Sequence, residues 1–465
     1  MKIKFLGAAQ MVTGSCHLVT VNDHSILLDC GLIQGTRDQE EENLKPFHFD
    51  VKKIDAVVLS HAHLDHSGRL PLLIKQGYRG PIFTHAATAD LCKILLEDAG
   101  YLNERSAEWD NRKRERKGED PVEPLFTQAD AQFTQQFFEG IEYDQPIEVV
   151  PGFELTLHDA GHILGSAIVE ARLKENGVNK TLVFTGDLGH LGAPILRDPV
   201  RLQHADLVLM ESTYGDRQHR SWDETWKELG DVLRCAREDH GNILMPSFTI
   251  GRTQELLYTF ERYFDDWELG DWEIFLDSPM AIKANQVYAK HADIHNHRAR
   301  SLAKQEGSPF KLPNLHLTES TEESMAINRL KSGALIIAGS GMCTGGRIKH
   351  HLKHNLWRKD SHIIFVGFQA RGTPGRALVD GASSLNLWGE SIKVRAQIHT
   401  IGGLSAHADQ QGLLEWYKAF ESRPPVVLVH GEPDAQECLS DILCNETGAD
   451  VKIAAKGETL NLLRV

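Results

Sequence analysis

The sequence predicts an α/β fold in which a second α/β domain, built on a mainly parallel sheet, is inserted into a first. Three observations carry this expectation. The first ~60 residues read as short strands between glycine turns, helix-like and strand-like stretches alternate after Glu211, and strand texture resumes towards the end. A length of 465 residues fits two or three domains.

Taken in order, Lys2 to Phe5, His17 to Val21, Ser25 to Leu28 and Ala56 to Leu59 are β-rich runs bounded by turn residues, and read as strands. From Ala87 to about Phe138 the spacing is helical, and the charged stretch Arg105 to Asp120 reads as a solvated helix. Strands return at Glu154 to Leu157, Ala167 to Leu173, Leu182 to Thr185 and Leu207 to Glu211. The texture then alternates: helical Ser221 to Glu238, strand Asn242 to Pro246, helical Thr253 to Phe264, strand Ile274 to Leu276, helical Ala281 to His291. Such alternation is the pattern of parallel strands joined by crossover helices. Further strands are expected at Ala334 to Ala338 and His362 to Gly367, with strand texture near Ile392 to Ile401 and Val426 to Val429. The expected division is 1–212 for the first part of the outer domain, 213–387 for the insert and 388–465 for the return.

Composition narrows the function classes. Hydrophobic residues make up 41%, enough for a sizeable core, and 50 Lys+Arg against 65 Asp+Glu leave a net charge of −15. That balance argues against coating nucleic acid through the overall field, and leaves local basic patches or bound cations as the means of meeting a polyanion. No apolar run approaches the ~18 residues of a membrane span, and Met1 to Ser15 does not read as a signal peptide, so a soluble cytoplasmic protein is expected. The seven cysteines are scattered without a C-x-x-C, which reads as reduced thiols. The anomaly is 24 histidines, several of them clustered.

The densest cluster is Ser60-His61-Ala62-His63-Leu64-Asp65-His66-Ser67-Gly68, directly after a strand. At strand spacing His61, His63 and Asp65 share one face, and a turn lets His66 join them. Four ligand-type side chains in six residues make half of a dinuclear site, and imidazole with carboxylate favours Zn²⁺, with Mn²⁺ or Fe²⁺ as alternatives. His162, Asp187 and His430 each stand at or near a strand end beside glycine, where a side chain can reach a shared rim.

These motifs resemble those of the metallo-β-lactamase superfamily and, within it, the β-CASP group of nucleic-acid hydrolases. Asp29 in Leu-Leu-Asp-Cys-Gly fits the first superfamily motif, His61 to His66 the second, His162 the third and Asp187 the fourth. Glu211, His407 in Leu-Ser-Ala-His-Ala-Asp, and His430 fit the three β-CASP motifs. The resemblance implies an αββα sandwich with an inserted β-CASP domain. It implies one metal on His61, His63 and His162, a second on Asp65, His66 and His430, and Asp187 bridging, with Asp29 orienting the histidine loop. Two such cations can share a water and clamp the attacking and leaving oxygens of a phosphodiester. Asp65, Asp187, His407 and Glu211 are then the expected catalytic groups, with His407 and Glu211 assisting the leaving oxygen or holding the phosphate. Histidine at 63 goes with zinc-type members, and histidine at 430 with members acting on RNA. Single-stranded RNA is therefore the expected partner, with a homodimer left open. Arg252, Arg347, Arg371, Arg376 and Ser405 are expected substrate contacts, and the basic run from Arg347 to Lys359 could line an RNA channel. The competing reading is a small-molecule metallohydrolase of the same superfamily, against which stand the inserted domain and the filled positions 211 and 407.

Overall fold

The computed structural model describes residues 1–464. The chain divides into two compact units: Met1–Leu191, Asp198–Gln218 and His407–Val465 form the first, and Gly192–Arg197 with His219–Ala406 form the second. No helix among the described residues is long and apolar enough to cross a membrane.

Two seven-stranded sheets make the first unit. One runs, in spatial order, Thr459–Asn461, Lys2–Gly7, Cys16–Val21, His24–Leu28, Ala56–Val58, Ile82–His85, Phe138–Ile141; the other runs Val451–Ile453, Val426–Val429, Leu207–Glu211, Val178–Phe184, Ala167–Glu175, Phe153–Asp159, Ile147–Val150. Alternation along the strands sorts the side chains. Ile3, Phe5, Val19 and Ile26 of one sheet meet Leu157, Val169, Leu182 and Leu209 of the other in a single core. Val208, Met210 and Leu428 point the opposite way, onto Leu413, Tyr417, Leu439 and Leu443 of the helices Gln410–Tyr417 and Pro433–Thr447. Helices over Leu70–Lys75 and Ala86–Lys117 follow strands of the first sheet, giving an αββα sandwich.

The second unit is built on a six-stranded sheet in the order Leu315–Leu317, Glu273–Leu276, Ala334–Ala338, Ile243–Pro246, His362–Phe365, Gln397–Thr400, with every pairing parallel. Its last strand shows why the crossing back to the first unit falls at His407 and not at 388. The strand texture expected near Ile392 to Ile401 resolves into two strands: Glu390–Lys393 closes a hairpin with Ser384–Leu387, and Gln397–Thr400 extends the parallel sheet. The long helical stretch also breaks. Its main helix ends at Lys117, where Gly118 takes a left-handed cap at φ +70, and a separate helix Gln128–Thr134 precedes the strand Phe138–Ile141.

Candidate metal centre

The histidine loop leaves the strand Ala56–Val58 extended and closes into one helical turn, Leu64–Ser67, that carries Asp65 and His66. Backbone bonds hold it on both sides: Ser15 donates to the Asp65 carbonyl at 2.8 Å and Cys30 to that of His66 at 2.8 Å. Glycine is required at 31, because a Cβ there would stand 1.6 Å from the Asp65 carbonyl oxygen. Asp29, itself at φ +60, accepts from the Ser60 backbone N–H at 2.8 Å, from the Ser15 hydroxyl at 2.9 Å and from His66 Nδ1 at 2.7 Å. That last bond places a proton on His66 Nδ1 and turns Nε2 inward, towards the other donors.

Around this loop the first unit gathers donors from distant parts of the chain. His61 Nε2 lies 3.1 Å from His63 Nδ1, and His162 Nε2 lies 3.2 Å from that same Nδ1. Asp187 Oδ2 completes the group at 3.4 Å from His61 Nε2 and 3.5 Å from His162 Nε2. Four ligands on a tetrahedral ion with ~2.0–2.1 Å bonds stand about 3.3 Å apart, so these four atoms already have the spacing of a zinc-type donor set. A second group adjoins it: His66 Nε2 to His430 Nε2 is 3.1 Å, and His430 Nε2 to Asp65 Oδ2 is 3.5 Å. Asp187 Oδ2 is also 3.3 Å from His66 Nε2, so one carboxylate oxygen serves both groups. Glu211 forms a third grouping with Asp187 and His430.

The electrostatics fit a cation. Burial first, then neighbouring imidazoles, lower the pKa of His63 to about 3, and the same causes put His162 well below its usual value. Burial also lowers His61. Three neutral rings therefore offer lone pairs to one point. Burial works against charge on His66 as well, but Asp187, Asp29 and Asp65 outweigh it and raise that ring well above the imidazole range. Burial likewise opposes ionisation of Asp187, yet His430 and His66 hold it well below the carboxylate range. Its Oδ1 and the Nδ1 of His162 are buried without a hydrogen-bond partner. Buried acids with an orphaned oxygen, facing lone pairs from several rings, are a donor set that a divalent cation completes.

Beside the donors sits a histidine–glutamate pair. His407 donates from Nδ1 towards both carboxylate oxygens of Glu211 at 3.2 Å, and Glu211 also accepts from the Leu188 N–H at 2.6 Å. Burial would neutralise the His407 ring, but Glu211 and then Asp187 raise its pKa to about 9. The ring is 20% exposed, lies tilted against His162 with the centroids 4.4 Å apart, and is near Tyr214. Thr213, which sequence reasoning missed, places its hydroxyl 3.0 Å from His430 Nδ1 and turns Nε2 of that ring to the donors. Its position two residues after Glu211 was the available signal.

The expected substrate contacts all belong to the second unit, and two of them are otherwise engaged. Arg252 is 7% exposed and joins Glu255 to the Leu404 carbonyl, which makes it an internal brace. Arg347 bonds Asp277 at 2.7 Å and the carbonyls of Thr318 and Glu319. Both guanidinium groups are thus engaged inside the second unit, that of Arg252 by a carboxylate three residues on and a carbonyl 152 positions away, and that of Arg347 by partners 28 to 70 positions away. Arg376 pairs with Asp380 one turn on at 2.9 Å, Arg371 is exposed, and Ser405 is half-buried.

Comparison with known proteins agrees with this architecture. Residues 11–90 match the metallo-β-lactamase superfamily, 253–378 the β-CASP domain, and 391–454 the Zn-dependent metallo-hydrolase RNA specificity domain. Ribonuclease TTHA0252 of Thermus thermophilus is 39% identical over 98% of this chain and 99% of its own. Transcription termination factor FttA of Methanocaldococcus jannaschii is 31% identical over 94% of this chain and 68% of its own. A solved protein of unknown function from Enterococcus faecalis shares the fold at a TM-score of 0.54 and 16% identity, covering 99% of both chains. An identity of 39% along nearly the whole length of one such relative, and the three family matches, mean that the chain belongs to the β-CASP group of the metallo-β-lactamase superfamily and is a metal-dependent hydrolase.

Proposed function

We propose that the protein is a zinc-dependent ribonuclease that hydrolyses RNA phosphodiester bonds with two metal ions per chain. His61, His63 and His162 would hold one ion, Asp65, His66 and His430 the other, and Asp187 both. The chemistry such a pair supplies when bound is neutralisation of phosphate charge and a water acidic enough to act as nucleophile near neutral pH. The chain's own residues then serve the departing oxygen. His407 carries a proton on a ring that Glu211 orients and keeps charged, and hands it to the leaving 3′-oxygen as the bond to phosphorus breaks. Asp29 fixes the tautomer of His66, and Thr213 the orientation of His430.

The observation that carries this reading is the His407–Glu211 pair beside the donor cluster, at 3.2 Å and one-fifth open to solvent. A proton donor poised there suits a poor leaving group such as a ribose oxygen. RNA as substrate is supported by the relative named a ribonuclease and by the matched RNA specificity domain. The test incubates 5′- and 3′-labelled single-stranded RNA with protein whose metal content has been measured. Shortened products that vanish with chelator and return with zinc are expected, whereas intact RNA alongside turnover of a lactam or thioester would overturn the reading.

A further inference from the structure

The helix Ala86–Lys117 starts at the metal centre and carries something the chemistry does not use. Its first turn is tied to the loop of His162, where the Thr88 hydroxyl donates to the Gly165 carbonyl at 2.6 Å. Trp109 lies 21 residues further on, roughly 30 Å along the axis at ~1.5 Å per residue. The last turns are braced on one side, since Asn111 exchanges two hydrogen bonds with Val122 and Arg114 bonds the Asp120 carbonyl.

The other side is open. At ~100° per residue, Leu102, Arg105, Trp109, Arg112, Lys113 and Arg116 fall within about 60° of one line, while Glu104, Asp110 and Glu115 fall about 110° or more away and Glu108 borders the face at about 90°. An ordinary solvated helix intersperses the two signs; here they are segregated. Large apolar groups lie on the same open face, with Leu102 55% and Trp109 61% exposed and Tyr101 at its edge. The cations sit on the rings: Lys113 Nζ is 2.9 Å from the Trp109 centroid and the Arg105 guanidinium 5.3 Å from that of Tyr101. Arg105 and Lys113 also reach the flanking Glu108 and Asp110. Arg112, Arg116 and Lys117 have no carboxylate partner among the described residues.

We propose that this face, formed by Leu102, Trp109, Arg112 and Arg116, binds a single-stranded stretch of RNA distant from the bond being cut. The inference rests on the ribonuclease reading and adds to it a surface for the substrate's far part. Charge complementarity selects the occupant: a face with cations along its midline and acids only at its edges, on a chain of net charge −15, is complementary to a polyanion. The aromatic rings suit unstacked bases, as on other single-strand-binding surfaces. At ~3.4 Å per stacked nucleotide, 30 Å corresponds to about ten nucleotides, so the surface should act only on longer RNAs.

The test combines Trp109→Ala, Arg112→Glu and Arg116→Glu, all exposed positions remote from the donor cluster. Affinity for an unstructured RNA of ~30 nucleotides should fall by about ten-fold or more, and the salt dependence of binding should flatten by roughly 1.4 for two lost phosphate contacts. Turnover of bis(p-nitrophenyl) phosphate and of RNAs under ~6 nucleotides should match the unmutated protein, with metal content unchanged. Equal affinity for long RNA would overturn the proposal, as would an equal loss on short and long substrates. A change of oligomeric state with unaltered RNA binding would also overturn it and assign the face to a second copy of the chain. Should the unmutated protein cleave no phosphodiester, the ribonuclease reading falls, and the RNA titration still decides the surface by itself.

Discussion

Replacing Glu211 by Gln isolates the proton on His407. Glutamine keeps an oxygen to accept the Leu188 N–H, so the change removes charge more than shape. In the unmutated protein burial favours the neutral ring, and Glu211 followed by Asp187 raises its pKa to about 9 from the ordinary 6.5. At pH 7.5 a value of 9 means roughly thirty charged rings for each neutral one, whereas 6.5 means about one charged ring in ten. A step that needs the charged ring therefore slows about ten-fold at pH 7.5 and recovers as the pH is lowered. Cations held by the donors would depress the value in both proteins alike, so the displacement between them is what the assay reads. His407→Ala marks the ceiling, about 10²–10⁴ for complete loss of the acid. The measurement is a pH–rate profile on RNA beside one on bis(p-nitrophenyl) phosphate, whose leaving group departs without a proton. The alkaline limb should move to lower pH on RNA alone, with metal content unchanged. Superimposable profiles on RNA would refute the reasoning, and metal loss would move Glu211 to the ligands through its grouping with Asp187 and His430.

Asp187→Ala should lower activity by orders of magnitude and reduce bound metal by more than one ion's share, because its Oδ2 faces both groups; elemental analysis after gel filtration checks it. Asp29→Asn should weaken metal binding about 10–100-fold by freeing the His66 tautomer, read by zinc competition with a chelating dye. In the second unit, Asp277 is fully buried against His351, Arg347, Thr318 and Ser324, and Asp277→Ala should cost about 3–5 kcal/mol in denaturant unfolding of that unit by leaving several buried donors without the carboxylate that accepts from them. The same carboxyl titrates below its usual range: burial opposes charge, but the His351, Ser324 and Thr318 hydrogen bonds outweigh it. Its stabilising share is therefore complete above about pH 4 and drains away as the pH falls further, which unfolding midpoints across pH 2–6 should show in the unmutated protein and not in the variant.

The sheets of the first unit were legible because their strands are short apolar runs punctuated by glycine, and a strand such as Leu207–Glu211 can be read without knowing its partner. The donors were legible for a related reason: metal chemistry restricts residue type, and His61 to His66 crowd that restriction into six positions. What stayed hidden depends on long-range pairing. Nothing between Lys393 and Gln397 marks a break, so the strand texture there does not tell that two strands take different partners. Arg347 looks like a phosphate contact until Asp277, seventy positions away in sequence, is found against it. Thr213 acquires its role only once His430 is folded onto it from 217 residues further along.

The first unit is assembled from stretches on either side of the inserted one. His61, His63, His162 and Asp187 all precede the insertion, while His407 and His430 follow it, roughly 240 residues after Asp187 in the latter case. Synthesis at about 5–20 residues per second leaves an interval of roughly 10–50 s in which the nascent chain holds one donor group and lacks both His430 of the other and His407. On the proposed ribonuclease reading, the chain thus leaves the ribosome in a form that cannot yet cut, and acquires its full set of groups only after the second unit has been made.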